Sequence, residues 1–237
     1  MISRNELKFI KSLQQKKNRT AEGLFLVEGL KNVIELLDSS YEIERVLVSE
    51  RYKDTLHYEN AIVIKEKDLN YVTSLKSNTT CLAVVKKPVT RPLDYSKHIM
   101  VLDGISDPGN LGTIVRTMDW FGFSQLVCSE DCAEFFNPKT IAATMGSFTR
   151  IIPSYMPLDE FFEQNNNSVF GMVLEGTNVS ELEVSLPSVF VAGSESHGIR
   201  QQVIDRLDHA ITIKGPGQAE SLNVAIATSI LLFRLSS

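Results

Sequence analysis

Polar and charged side chains follow an apolar strand in the segment Leu102 to Gly122. A turn rich in Asp, Pro and Gly leads into a helix that we expect to begin near Asn110. Apolar residues recur there at helical spacing and must face the core: Leu111, Ile114, Val115 and Met118. Asn110 has two interpretations, a helix cap or a ligand contact, and Arg116, which points away from the core, is a surface residue or a functional one. Their position after a strand favours function.

A second loop of this kind follows the apolar residues that end at Ala192. It contains Gly193, Glu195, His197 and Gly198. Glycines permit a ligand to approach the backbone closely. We therefore expect main-chain donors and acceptors here that a flat adenine ring would suit.

The same loop leaves a hydrolase alternative open. Ser194 to Gly198 is similar to a nucleophile elbow whose first glycine is replaced by Ser194, with Ser196 as the nucleophile. His197 would be an unusual base, because adjacent side chains in an elbow diverge.

A third loop runs from Ile213 to Ser221 and precedes an almost wholly apolar helix. Ser221 is predicted to cap this helix. The loop lacks the Gly-Lys-Ser/Thr sequence of a Walker phosphate loop. The helix, Leu222 to Phe233, must be buried or lie in a subunit interface.

A linker separates two predicted domains. Lys86 to Lys97 contains two prolines and several charges, without apolar periodicity. We predict a small α/β domain over residues 1–92 and a larger one over 97–237. In the first, helices are expected at 8–17, 28–37, near 53 and at 66–75, with strands at 45–49, 61–64 and 81–85.

The second domain alternates apolar strands with amphipathic helices. The strands are expected at 99–102, 125–128, 169–174, 188–192 and 210–213. This pattern predicts a parallel sheet covered on both faces. Ligands bind at the carboxyl ends of such strands, so the loops after Leu102, Leu174, Ala192 and Ile213 are the candidates for a site.

Composition limits the class of protein. The hydrophobic fraction of 43% is ordinary, and no apolar run approaches the roughly 20 residues of a membrane span. The N-terminus lacks the apolar core of a signal peptide. Three cysteines argue against a disulfide framework, and Cys128 and Cys132 have no nearby histidine, so no metal site is expected. Buried free thiols in the cytoplasm fit this pattern.

The net charge of −5 is unevenly distributed. The first 31 residues contain seven basic side chains and three acidic ones, whereas the part after Lys97 is acidic. A basic arm fits binding of a polyanion, although a solvated helix would show the same pattern. The candidate contacts to such a polyanion are Lys11, Lys16, Lys17 and Arg19.

Taken together, the three loops resemble the three motifs of the SpoU/TrmH branch of the SPOUT RNA 2′-O-methyltransferases. Asn110 and Arg116 match the first motif. The second is matched by Gly193, Glu195 and Gly198, and the third by Ser221, Leu222 and Asn223. Gly23 to Gly29 also resembles the L30e-like substrate-binding domain of many members. The sequence departs from the family pattern at two positions: Ser194, where the family frequently has asparagine, and His197, where glycine is common.

The resemblance implies a C-terminal SPOUT domain with a deep trefoil knot, a homodimer joined through terminal helices, and S-adenosylmethionine as cofactor. It implies methyl transfer to a ribose 2′-hydroxyl. The implied catalytic residues are Asn110, Arg116, Glu195, Ser221 and Asn223. The implied cofactor pocket comprises Leu174, Gly193, Gly198, Ile213 and Leu222.

Two questions stay open at this stage. Arg116 would act as a base or as an electrostatic stabiliser, since a guanidinium rarely gives up its proton. An L30e-like domain favours ribosomal RNA over transfer RNA as the substrate, by analogy alone. A non-catalytic RNA-binding protein with the same fold is the other alternative.

Overall fold

The chain forms two compact units in the computed structural model, which describes residues 2–184 and 186–236. The first unit runs to Val89 and includes Glu134–Thr149, whereas the second comprises Thr90–Ala133 and continues from Arg150. The change of unit at Val89 lies inside the predicted linker. Glu134–Thr149, which the sequence placed in the second domain, belongs to the first unit instead.

The first unit contains a four-stranded sheet. Its strands are β1 (Leu24–Glu28), β2 (Ile43–Ser49), β3 (Ile62–Ile64) and β4 (Cys81–Lys86), in the order β1-β4-β2-β3. β4 pairs antiparallel with β1 and β2, and β3 pairs parallel with β2. The predicted strands at 45–49, 61–64 and 81–85 are therefore confirmed, but β1 was not predicted as a strand. The helices are α1 (Arg4–Ser12), α2 (Lys16–Glu22), α3 (Leu30–Leu37), α4 (Lys53–Leu56) and α5 (Glu66–Val72), with a 3₁₀ turn at Glu50–Tyr52.

Local capping explains where two predicted helices differ from the structure. The helix expected at 8–17 is two helices, since α1 ends at Ser12 and α2 begins at Lys16. Ser3 and Glu6 form a capping box that starts α1 four residues earlier than expected. The helix expected at 28–37 begins only at Leu30. Glu28 ends β1, and Gly29 turns the chain with a φ of +88°, a conformation that favours glycine.

Aromatic packing explains why Glu134–Thr149 joins the first unit. The rings of Phe136 and Phe148 lie 4.7 and 6.3 Å from that of Phe25 on β1, measured between centroids. Helix α7 (Pro138–Thr144), between these two rings in sequence, packs on β1. Since Phe25 is fully buried, this segment completes the core of the first unit.

The second unit contains a six-stranded sheet in which every pairing is parallel. Its strands are β5 (Ile99–Asp103), β6 (Gln125–Cys128), β7 (Ser154–Tyr155), β8 (Val169–Asn178), β9 (Val189–Gly193) and β10 (His209–Thr212), in the order β10-β8-β9-β5-β6-β7. The predicted parallel α/β class is confirmed. β8 extends four residues beyond its predicted end, and β7 was not predicted.

Helices cover this sheet and supply its core. They are α6 (Pro108–Trp120), α8 (Leu158–Gln164), α9 (Gln201–Ile204) and α10 (Val224–Leu235), with a 3₁₀ turn at Val179–Glu181. Apolar strand residues pack with Phe161, Phe162, Ile199 and Val203 in one buried cluster. Ile199 and Val203 follow β9, so this cluster anchors the far end of the loop after β9. The predicted knot stays a prediction.

Within the described part of the chain, no helix is both long enough and apolar enough to cross a membrane. All three cysteines are buried free thiols, as the sequence predicts.

Candidate active site

The turn after β5 begins helix α6 with a cap that the sequence did not assign. Asp107 is the N-cap, and its side chain accepts a hydrogen bond of 2.9 Å from the backbone N–H of Asn110. Pro108 occupies the first helical position, where its missing N–H costs nothing. The alternative that Asn110 caps the helix is therefore wrong, and its side-chain amide is available for other contacts.

That amide joins the three loops. Asn110 Nδ2 donates a hydrogen bond to Glu195 Oε1 in the loop after β9. Asn223 Nδ2, at the end of the loop after β10, donates to Asn110 Oδ1 over 3.1 Å. The structure thus brings together Asn110, Glu195 and Asn223, one predicted residue from each motif. All lie at the carboxyl ends of parallel strands, where ligands of such sheets bind.

Asn223, not Ser221, caps helix α10. Its Oδ1 accepts hydrogen bonds from the backbone N–H groups of Ala225 and Ile226, at 3.0 and 3.3 Å. The predicted cap at Ser221 is wrong because the helix starts two residues later, at Val224. One Asn223 side chain therefore both fixes the helix start and positions Asn110. Ser221 is exposed in the loop that precedes it.

Arg116 lies apart from this network. It is exposed on α6, and within the described residues its side chain has no hydrogen bond or ion pair. It lies six positions after Asn110, which corresponds to about 9 Å along the helix and about 120° around it. Its guanidinium is free to contact a ligand.

The loop after β9 is closed tightly at its base. Ser194 and Gly198 exchange two backbone hydrogen bonds, of 3.1 and 2.8 Å, and Gly198 has a φ of +67°. A Cβ on Gly193 would lie 2.1 Å from the carbonyl carbon of Gly198. Both predicted glycines are thus required by the loop's own geometry, and Glu195, Ser196 and His197 between them are exposed.

The predicted cofactor residues Leu174 and Ile213 belong to two paired strands, since Leu174 lies in β8 and Ile213 directly follows β10. Thr212 Oγ1 donates to the carbonyl of Leu174 over 3.0 Å, which joins β8 to the last residue before Ile213. The β8–β10 register shifts here, and a Cβ on Gly176 would lie only 2.5 Å from Ala210 O. This irregularity leaves the side chain of Leu174 76% exposed. Leu222, before α10, is also exposed.

Ser196 and His197, the two residues of the hydrolase alternative, lie closer to each other than expected. Ser196 Oγ and His197 Nδ1 form a hydrogen bond of 2.7 Å, although we expected adjacent side chains to diverge. Both residues are exposed, and no described residue is hydrogen-bonded to His197 Nε2. A serine nucleophile requires a base that a third group orients, so the pair lacks the arrangement of a triad.

Sequence reasoning missed a charged cluster at the same edge of the sheet. Asp103 ends β5 with a fully buried side chain that pairs with Arg200. The guanidinium of Arg200 also lies 3.5 Å from Asp131 Oδ2. Pairing with Asp103 raises the pKa of Arg200. A carboxylate that ends an otherwise apolar strand was the available signal, because a buried charge requires a partner.

The first unit contains the predicted RNA contacts. Lys11, Lys16 and Lys17 are exposed, and the Lys11 ammonium lies 4.2 Å from the ring centroid of Tyr71.

The prediction that Arg19 contacts RNA is wrong. Its side chain is only 2% exposed and pairs with Glu134. It also donates to the carbonyls of Leu13 and Gln14, at 2.8 and 2.7 Å. Because Arg19 is buried and most of its N–H donors are already engaged, it is not available to RNA and its role is structural.

Comparison with known proteins agrees with this geometry. A model of the SpoU rRNA Methylase family matches residues 97–233, and a model of the MRM3-like substrate binding domain matches residues 4–83. The first match includes all the residues of the Asn110–Glu195–Asn223 network.

Relatives match over nearly the whole chain. The 23S rRNA (guanosine(2553)-2′-O)-methyltransferase RlmP of Bacillus subtilis is 32% identical over 95% of this chain and 93% of its own length. A putative RNA methyltransferase of the TrmH family from Porphyromonas gingivalis has a TM-score of 0.88 and 32% identity, over 99% of this chain and 98% of that one. An AdoMet-bound rRNA methyltransferase from Sinorhizobium meliloti has a TM-score of 0.86 and 27% identity, over 99% and 95%. The chain therefore belongs to the SpoU rRNA methylase family, a family of RNA methyltransferases, as its three sequence motifs predict.

Proposed function

We propose that this protein transfers a methyl group from S-adenosylmethionine to a ribose 2′-hydroxyl of 23S ribosomal RNA. The observation that carries the proposal is the hydrogen-bonded network of Asn110, Glu195 and Asn223, which joins three loops at one edge of a parallel sheet. The relatives support the substrate class, since the Bacillus subtilis protein is named for 2′-O-methylation of 23S rRNA.

The residues of the predicted cofactor pocket fit such a donor. Leu174 and Leu222 present exposed apolar side chains that suit the faces of an adenine ring. Gly198 is exposed and has no side chain, so a ligand could approach its backbone closely, and the half-buried Gly193 packs against it. Ile213 follows Thr212, whose hydroxyl holds the Leu174 carbonyl.

The chemistry required of the chain is alignment and stabilisation of charge. S-adenosylmethionine supplies an electrophilic methyl group on a sulfonium. In the transfer, the ribose oxygen would bond to that methyl group as its carbon–sulfur bond breaks and the sulfonium becomes a neutral thioether, and the hydroxyl proton would pass to solvent water. Because a hydroxyl is a poor nucleophile at neutral pH, a base or a cation near the developing alkoxide is required.

Arg116 is the proposed group for that role. It is exposed and without a partner among the described residues, so its charge is available to the ribose and the neighbouring phosphate. Since guanidinium groups stay protonated at neutral pH, we favour electrostatic stabilisation over action as a base. Asn110, Glu195 and Asn223 would hold the loops in place, and the exposed hydroxyl of Ser221 would contact the ligand.

A homodimer through α10 forms part of the proposal. The inner face of α10 is buried, but Ile226, Ile230 and Phe233 recur on an exposed face. Trp120, at the end of α6, is 83% exposed. Exposed apolar patches of this kind mark interaction surfaces, and a second copy of this chain is the proposed occupant.

We assign RNA binding to the first unit. We also propose that the protein acts in the cytoplasm, where it would meet a ribosomal RNA substrate. Lys11, Lys16 and Lys17 are the proposed phosphate contacts. The match of residues 4–83 to a substrate binding domain supports this division of roles.

The test is to map 2′-O-methyl groups in RNA from cells with and without the gene. Purified protein and S-adenosylmethionine should restore the missing group to ribosomal RNA from the deficient cells, and RNA from the complete cells, already methylated, is the control. Methylation restored only in transfer RNA would support the transfer RNA alternative. RNA binding without any affinity for S-adenosylmethionine would show a non-catalytic protein.

A further inference from the structure

Asp103 is a buried carboxylate whose negative charge is paired with the guanidinium of Arg200. Its side chain is fully buried, where an unpaired charge would be strongly disfavoured. Arg200 supplies a backbone N–H at 2.8 Å from Oδ2 and Nε at 2.6 Å from Oδ1, and its Nη2 pairs with Oδ1 as well. These charge-assisted bonds fix both the backbone and the side chain of Arg200.

This contact joins the two ends of the loop after β9. Gly193, at the start of the loop, is the register partner of Asp103 in the sheet. Arg200 follows Ile199, which is buried in the core at the other end. Asp103 therefore holds both ends of a seven-residue segment, from Gly193 to Ile199, that contains Glu195.

Arg200 also reaches the loop after β6. Its Nη1 lies 3.5 Å from Asp131 Oδ2. Ser129 Oγ donates to Asp131 Oδ1 over 2.6 Å and accepts from the backbone N–H of Gly104 over 2.9 Å. Three loops at the carboxyl edge of the sheet thus share one guanidinium, whose planar array of donors suits several acceptors at once.

We propose that Arg200 is a positioning residue of the methyl-transfer site. By binding Asp103 and Asp131 it holds the segment from Gly193 to Ile199 in the form that places Glu195 against Asn110. It acts through that segment, without touching the reacting atoms. The inference rests on the proposed function, because it takes this segment to bind the methyl donor.

Four variants test this inference: Arg200→Ala, Arg200→Lys, the double variant Asp103→Asn with Arg200→Ala, and Arg206→Ala. Arg206 is exposed two residues after the end of α9 and serves as the matched control. For each, we would measure the melting temperature, the affinity for S-adenosylmethionine by calorimetry, and kcat and KM for methyl transfer.

Arg200→Ala should lower the melting temperature and weaken cofactor affinity. It should also reduce kcat roughly a hundredfold, because a displacement of about 1 Å has that effect on a reacting geometry. Arg200→Lys should recover part of the affinity, since an ammonium keeps the charge but not the fork of donors. Arg206→Ala should behave like the natural protein.

The double variant separates positioning from simple charge compensation. It removes the buried charge together with its partner, so the melting temperature should recover, whereas affinity and kcat should stay low. Full recovery of all three would overturn the proposal and leave Arg200 a structural role only. If Arg200→Ala does not fold, the double variant alone decides. A natural protein that neither binds the cofactor nor methylates RNA would overturn the proposed function as well.

Discussion

Asn223 Nδ2 donates a hydrogen bond to Asn110 Oδ1 over 3.1 Å, across 113 positions of the sequence. The same Asn223 side chain caps α10 through its other atom, Oδ1. The start of the last helix and the start of α6 are therefore held by one amide. The cap of α10 and the hydrogen bond to Asn110 therefore both depend on the same Asn223 side chain.

Replacing Asn223 with aspartate should separate these two functions. Aspartate caps a helix as well as asparagine does, so the free energy of unfolding should change by less than about 0.5 kcal/mol. It has no N–H to donate to Asn110, and its charge would lie near Glu195. We expect kcat to fall roughly tenfold, the equivalent of about 1.4 kcal/mol.

Asn223→Ala is the comparison, since it removes both functions and should also cost about 1 kcal/mol of stability. Urea unfolding and single-turnover methylation measure the two effects. An aspartate variant with the natural rate would show that the bond to Asn110 is not needed.

Arg116→Ala should remove methyl transfer while leaving the affinity for S-adenosylmethionine little changed. The residue makes no hydrogen bond to the Asn110–Glu195–Asn223 network within the described residues, so its loss should not disturb the cofactor pocket. Loss of a cation that stabilises developing charge reduces rates by at least roughly a hundredfold. Calorimetry and methylation of ribosomal RNA give the two quantities, and retained methyl transfer would reject Arg116 as the catalytic group.

The positions of the site loops could be predicted from the sequence for a physical reason. Parallel strands end at one edge, so any loops that follow them come together. Asn110, Glu195 and Asn223 therefore needed only the strand pattern and the resemblance to be placed near one another. The glycines of the second loop were recognisable because few other residues suit such turns.

The remaining features depend on contacts that local sequence does not encode. Asp107 and Asn110 are both good caps, as are Ser221 and Asn223, and only the packed helix start decides between them. Arg19 looked like a solvated cation because its partner, Glu134, lies 115 positions away. The Asp103–Arg200 pair spans 97 positions. Asp103 at the end of an apolar strand indicated a buried charge, but nothing near it in the sequence identified Arg200 as its partner.

Arg19→Ala should destabilise the protein without acting on RNA directly. Removing one partner of a buried ion pair leaves the other uncompensated, which costs about 3 kcal/mol. Lys87 Nζ lies 3.5 Å from the same Glu134 and would limit the loss. Lys17→Ala, at an exposed position, should leave unfolding by urea unchanged. If the two variants proved equally stable, the Arg19–Glu134 pair would contribute nothing to the fold.

Neutralising Lys11, Lys16 and Lys17 to glutamine should weaken RNA binding. For each phosphate that the variant no longer neutralises, the slope of log affinity against log salt should also become shallower by about 0.7 to 0.9. The control changes three other exposed lysines of the same unit, Lys65, Lys67 and Lys76, by the same charge. Equal effects of the two triple variants, in binding titrations at several salt concentrations, would mean that net charge and not this surface attracts the RNA.

Ile230→Glu should dissociate the proposed dimer with little effect on the folded chain. Ile230 lies between Ile226 and Phe233 on the exposed face of α10, so a carboxylate there would be solvated in a monomer but buried in an interface. Sedimentation velocity should change from twice the chain mass of 26.5 kDa to that mass itself. Val89→Glu, at an exposed apolar position outside α10, should leave the mass unchanged. A natural protein that sediments as a monomer at micromolar concentration would remove the dimer from the proposed function. The exposed face of α10 would then be free for another partner.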